Sequence, residues 1–201
     1  MLKYDILLFD LVGVLVEGSY RTTQAILEAT SMNDEELRGF WMTSPTVRDF
    51  DSGRISGRDF GEKMVDDLNL PIDSAEFLEL FGSWLAGLYD GTEELLSKLS
   101  GSYRLGCFSN INEIMWPPIR DKYGMGQLLN DYFLSYEMGM LKPDTEAFEY
   151  VIKELDIMPD RIAFFDDLEA NVETAKQVGM NSFVTKGLPE LQDQLRQQGV
   201  L

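Results

Sequence analysis

The spacing of apolar positions changes partway along this chain, and the change divides it. Tyr4–Phe9 is a short apolar run ending on Asp10, the pattern of a strand buried on both faces. From about Ser19 to Leu88 the rhythm becomes helical. Around Asp73–Leu88 the residues Phe77, Leu78, Leu80, Phe81, Trp84, Leu85 and Leu88 fall on one helical face, and Asp73 with Glu76 forms a capping box at the start. Gly53 and Gly57 punctuate FDSGRISGRDF, which reads as a turn between helices.

After Gly91 strand and helix patterns alternate. Tyr103–Phe108, Tyr132–Leu134, Arg161–Phe165 and Asn181–Val184 read as strands. Asn112–Lys122, Asp144–Leu155, Leu168–Val178 and Gly187–Gln198 read as helices, with Gly179 at the left-handed position that ends the third of them. Such alternation predicts an α/β fold around a parallel sheet, and the block after the first strand predicts a separate all-helical lobe. The expected division is a core of residues 1–18 and 89–201 with a helical insert over 19–88.

At 201 residues, 44% hydrophobic and 26% charged, the chain can bury one good core and a small accessory lobe. No apolar run approaches the roughly 20 residues that span a bilayer, and the start MLKYDILLFD lacks a cleavage-site pattern. A cytoplasmic protein without a membrane partner is the expectation. The net charge of −18 argues against nucleic acid, whose phosphates need dense Lys/Arg contacts. It also means that an anionic substrate needs a locally positive pocket.

The absence of histidine changes the picture more sharply. It removes Ser-His-Asp and Cys-His catalysis and His-ligated zinc. The single cysteine, Cys107, lies in the apolar run YRLGCF and reads as a buried structural thiol. Any chemistry falls to carboxylates, lysine, hydroxyls and a hard metal ion.

Ligands of open parallel sheets bind at the carboxyl ends of the strands, which directs attention to Asp10, Ser109–Asn110, Ser135 and Asp166–Asp167, with Lys142 joining from a loop before a helix. Asp10 is placed as a nucleophile. Asp166 and Asp167 are clustered carboxylates of the kind that invite Mg²⁺. Ser109 and Asn110 open a helix whose free N–H groups can hold an anion, and Lys142 adds a positive charge.

In this order the positions resemble the four motifs of the haloacid dehalogenase superfamily: FDLVGVL, FSN, LKPD and FFDDLEANVETAKQVGM. DYFLSYEMGMLKPDTEAFEYVIKEL, SNINEIMW and DSGRISGRDF are similar to the branch holding sugar-phosphate phosphatases and the N-terminal phosphatase domain of soluble epoxide hydrolase. The resemblance implies a Rossmann-like core with a small helical cap over 19–88. It implies a small phosphorylated or otherwise anionic metabolite as substrate, and a monomer or homodimer. By that resemblance Asp10 attacks phosphorus to give a phosphoaspartate. Mg²⁺ is held by Asp10, the backbone carbonyl of Val12 and Asp167, with Asp166 acting through water. Ser109, Asn110 and Lys142 neutralise the phosphoryl oxygens.

One position departs from the family pattern. Its phosphatases carry a second Asp two residues after the nucleophile, as acid and base; here that residue is Val12. The chain is therefore expected to be a phosphatase with an impaired chemical step. The alternatives are a non-catalytic protein that holds a phosphorylated ligand, and a 2-haloacid dehalogenase. The latter is disfavoured because that activity dispenses with the paired acids retained at Asp166–Asp167. Phosphonate cleavage needs a cap lysine, and Lys63 does not resemble that motif. Arg21, Arg48, Arg54 and Arg58 are candidate cap contacts for an anion, or else surface ion pairs. Trp41 and Trp84 read as packing residues of the cap, and Trp116, just after the second motif, reads as a packing residue or else one near the cleft.

Overall fold

The computed structural model describes residues 2–30 and 32–201; the side chain of Arg21, a candidate cap contact, lies outside the described residues. In chain order the elements are β1 (Ile6–Phe9), β2 (Val16–Gly18), α1 (Tyr20–Thr30), α2 (Asp34–Thr43), α3 (Pro45–Asp51), α4 (Gly57–Asp67), α5 (Ser74–Gly82) and β3 (Leu85–Leu88). There follow α6 (Thr92–Ser100), β4 (Arg104–Ser109), α7 (Met125–Leu128), β5 (Asp131–Leu134), α8 (Ser135–Met138), α9 (Thr145–Leu155), β6 (Ile162–Asp166), α10 (Glu169–Gln177), β7 (Asn181–Val184) and α11 (Gly187–Gln197).

The five-stranded sheet has the order β5-β4-β1-β6-β7, and its ladders are all parallel. β1 is central, with Phe9 registered against Cys107 on one side and Phe165 on the other. Strands buried on both faces must be apolar at every position. Leu7 and Phe9 accordingly join the core that runs into α6, α11 and the helical insert, while Ile6 and Leu8 join the core under α9 and α10. Helices thus cover both faces. This is the α/β architecture expected from the alternation, and its register sets Asp10, Ser109 and Asp166 at neighbouring strand ends.

α1–α5 lie between β2 and β3, which pair antiparallel as a two-stranded ribbon. The insert has an aromatic interior. Phe50 stacks on Phe60 with ring centres 4.1 Å apart, and Trp41 stacks on Phe81 at 5.7 Å. Trp84 lies over Gly18 and donates from Nε1 to Thr23, while Trp116 is buried against Tyr132. All three tryptophans therefore pack.

The structure corrects three local expectations. The helix begun by the Asp73–Glu76 capping box does not reach Leu88; it stops at Gly82, and Leu85–Leu88 is strand. Apolar residues at 84, 85 and 88 suit either geometry, and pairing of Leu88 with Val16 decides for strand. Asn112–Lys122 is not one α-helix. Pro117 and Pro118 lack the N–H groups that would carry its ladder onward, and Pro118–Lys122 forms a π-helical turn instead. Ser109 and Asn110 consequently do not open a helix directly; a turn intervenes. Elsewhere the capping box, the positive φ of Gly179 and the buried Cys107 follow the sequence reading. None of the described helices is long and apolar enough to cross a membrane.

Candidate active site

The chain leaves β1 at Asp10 and folds back at once. The carbonyl of Leu11 accepts from the N–H groups of Val14, Leu15 and Val16, closing a tight turn. Gly13 adopts φ +94°, and a Cβ there would stand 2.9 Å from the carboxyl of Asp167. The turn can approach that carboxylate only because residue 13 has no side chain. Val12 is half-buried within the turn, its backbone bridged to Val16.

Lys142 is the hub of the site and is 3% exposed. Its Nζ donates to Asp10 Oδ1 at 2.9 Å, to Asp166 Oδ2 at 2.6 Å and to the carbonyl of Phe108 at 2.7 Å. All three ammonium protons are thus satisfied, as burial of a charge requires. Burial alone would discharge the lysine, but the Asp10 and Asp166 carboxylates outweigh it and hold its pKa above the usual value.

Asn110 clamps the backbone of Lys142. Its Nδ2 donates to the Lys142 carbonyl at 2.8 Å, and its Oδ1 accepts from the Lys142 N–H at 2.9 Å. The carboxamide, being so occupied, leaves the backbone N–H of Asn110 as its group for an anion. Ser109 is buried beside Asp10.

The two motif-four carboxylates differ in environment. Asp166 is fully buried and accepts from Lys142, the Leu168 N–H and the Nδ2 of Asn171. Asp167 keeps some exposure. Burial raises it to about 6, with Asp10 and Asp166 adding to the rise and Lys142 opposing it. Burial likewise pushes Asp10 up; Lys142 opposes this, Asp166 adds to it, and the Ser109 bond lowers it again.

Asp10, Asp166 and Asp167 each bring a carboxylate oxygen within 4.8 Å of the others. Three carboxylates against one ammonium leave two negative charges uncompensated in a largely buried cluster. Hard oxygen donors with that residual charge fit a hard divalent cation.

The sequence-selected residues Asp10, Ser109, Lys142, Asp166 and Asp167 therefore converge. Ser135, also singled out, lies deeper and bonds to the backbone instead: its Oγ accepts from the Ile111 N–H at 2.9 Å. The cap arginines do not point to one ligand site. Arg48 pairs with Asp144, Arg54 with Asp49 and Arg58 with Glu62. Sequence reasoning missed Asn171, which holds Asp166, and Asn112, which reaches across to Asp51 of the insert. An asparagine five residues after Asp166 was the available sign of the first. The second had none, because its partner is 61 residues away.

Residues 4–179 match the family model of the haloacid dehalogenase-like hydrolases. The chain is 24% identical over 188 residues to a D-ribitol-5-phosphate phosphatase of Bacteroides thetaiotaomicron, covering 88% of this chain and 89% of that one. It is 28% identical over 176 residues to a sesquiterpene phosphatase of Aspergillus oryzae, covering 86% and 85%. Among solved structures it resembles a HAD family enzyme from Bacteroides thetaiotaomicron in complex with magnesium and inorganic phosphate. That likeness has a TM-score of 0.77 and 25% identity over 91% of this chain and 94% of the other. With the family's motif residues gathered at adjacent strand ends and the match spanning most of its length, this chain belongs to the haloacid dehalogenase-like hydrolases.

Proposed function

We propose that this protein is a Mg²⁺-dependent phosphatase that hydrolyses phosphomonoesters of small metabolites through an aspartyl-phosphate at Asp10. The observation carrying this reading is the meeting of Asp10, Asp166 and Asp167 around one point, with Lys142 bonded to two of them. Asp10, the carbonyl of Val12 and Asp167 would hold the ion, with Asp166, whose oxygens already accept from Lys142 and Asn171, acting through water. A bound divalent cation supplies charge neutralisation for the phosphoryl group and for the carboxylates around it.

The chain's own residues do the rest. Asp10 attacks phosphorus, and the bond to the alcohol oxygen breaks. Lys142, the Ser109 hydroxyl and the Asn110 N–H draw charge from the non-bridging oxygens. Water then cleaves the aspartyl-phosphate and frees phosphate. The helical segment 19–88 serves as the cap that covers the strand ends and excludes bulk water. The relatives named for phosphatase activity support the reaction class, and the magnesium and phosphate of the similar structure support the ligands.

Val12 brings no proton to the leaving alcohol, so turnover is slow. General acid–base catalysis is worth about 10²–10⁴ in rate. A panel of phosphate esters, assayed with and without Mg²⁺, tests the reading. The parent should release phosphate only with the metal, Asp10→Asn should abolish release, and Val12→Asp should speed it by ~10-fold or more. If the parent binds phosphate ligands without turnover and only Val12→Asp hydrolyses them, the protein is a phospholigand-binding protein instead.

A further inference from the structure

The residues that follow Asn110 are bonded one after another to the helical insert. Asn112 Nδ2 donates to Asp51 Oδ1 at 2.9 Å, and the Gly57 N–H donates to Glu113 Oε1 at 2.7 Å. Ile111, which adjoins Asn110, is reached through Ser135. The fully buried Ser135 hydroxyl accepts from the Ile111 N–H at 2.9 Å and donates to the Asp51 carbonyl at 2.5 Å. The insert also meets the other side of the site, where Arg48 pairs with Asp144, two residues past Lys142.

The Ile111 N–H belongs to the peptide that joins Asn110 to Ile111. Because that peptide is planar, holding its N–H also sets the orientation of the Asn110 main chain on that side. The carboxamide of Asn110 grips the Lys142 backbone, and Lys142 Nζ holds Asp10. One run of contacts therefore leads from Asp51 of the insert through Ser135, Ile111 and Asn110 to Lys142 and the nucleophile.

We propose that Ser135 is a positioning residue of the phosphoryl site, and that docking of the turn after α3 and binding of a phosphoryl group favour one another through its hydroxyl. The inference rests on the phosphoryl site of the reading above. Ser135 has one proton and two carbonyls in range, Asp51 at 2.5 Å and Ile111 at 2.9 Å. A hydroxyl gives its proton to one acceptor at a time. With the turn docked, the proton goes to the insert. With the turn lifted, it goes to the backbone of the loop beside Asn110. The buried hydroxyl is satisfied in both states, but the loop that presents the Asn110 N–H is held differently in each. A ligand that prefers one state must then favour it, and the preference is reciprocal.

The test uses inorganic phosphate with Mg²⁺ as the probe. Titration calorimetry gives its Kd for the parent, Ser135→Ala, Gly53→Ala and Ser135→Ala/Gly53→Ala, and hydrogen exchange follows the amides of residues 51–57. Gly53→Ala loosens the docked turn, because a Cβ there would stand 2.3 Å from the Tyr136 carbonyl oxygen. Each single variant should raise Kd by about tenfold, and the double variant should be no weaker than the weaker single. Saturating phosphate should slow exchange over 51–57 in the parent and leave it unchanged in Ser135→Ala. A folded Ser135→Ala that binds phosphate like the parent overturns the inference. So do two single effects that multiply in the double variant, or exchange over 51–57 that ignores phosphate in the parent. If Ser135→Ala does not fold, the exchange in the parent and the Kd of Gly53→Ala decide, and no change in either overturns it. A parent that binds phosphate but hydrolyses no ester overturns the phosphatase reading alone; one that binds no phosphate overturns both.

Discussion

Lys142 shows how one residue organises the centre. Its ammonium holds Asp10, Asp166 and the Phe108 carbonyl together out of water, so removing it leaves buried carboxylates facing one another. Breaking a buried charge pair from one side typically costs about 3–5 kcal/mol. Lys142→Met should therefore lower the unfolding free energy by about that amount at pH 7.5, measured by urea titration. A change below about 1 kcal/mol would mean that water reaches the cluster and screens it. Asp166 is legible in the sequence as half of an acidic pair, but the pair is unequal. Asn171 and the Leu168 N–H absorb its lone pairs, while Asp167 rests on bare Gly13 with its carboxyl open to a ligand. Nothing in the adjacent letters Asp-Asp distinguishes the two; only their neighbours in space do.

At the scale of elements, the seam between insert and core carries the interest. The turn after α3 docks on the β4 and β5 loops through Asp51, Gly53 and Gly57. Gly53 is needed twice over, for its left-handed backbone and because a Cβ would sit 2.3 Å from the Tyr136 carbonyl oxygen. Gly53→Ala should destabilise the protein by more than about 1 kcal/mol and slow turnover on the same samples, since the turn must lift from the core. Denaturant midpoints and initial rates check both effects; an unchanged midpoint would show that the seam is loose. The sequence reading recognised FDSGRISGRDF as a turn between helices, yet gave no contact for it. In the same way the periodicity at Asp73–Leu88 revealed a helix start from its capping box but overran its end, because the ribbon partner Val16 lies far back in the chain.

For the whole molecule, pH provides a handle. Asp51 has a folded value of about 6 against an ordinary 3.8. A raised carboxyl binds its proton more tightly in the folded state, so the stability it contributes is present below about 3.8 and is lost as pH rises through about 6. Asp51→Asn should thus leave the melting temperature unchanged near pH 4 and raise it above pH 6. The gain would be at most about 3 kcal/mol, since each pKa unit is worth about 1.4 kcal/mol. Thermal melts of both proteins from pH 4 to 8 measure this. Parallel curves would show that the carboxyl is solvated in the folded state.

The sequence by itself determined the α/β alternation, the parallel sheet and the polar residues at its strand ends. Each depends on local periodicity or on a short polar stop after an apolar run, as at Phe9–Asp10 and Phe165–Asp166. It also determined that Val12 can give no proton. Tertiary structure alone decided that Lys142 clasps Asp10 and Asp166, that Asn110 clamps the lysine backbone, and that Asn112 reaches Asp51. The physical reason is separation along the chain. A pattern records which face a residue turns inward, whereas a buried charge or amide is defined by the partner that satisfies it, here 24 to 132 residues away.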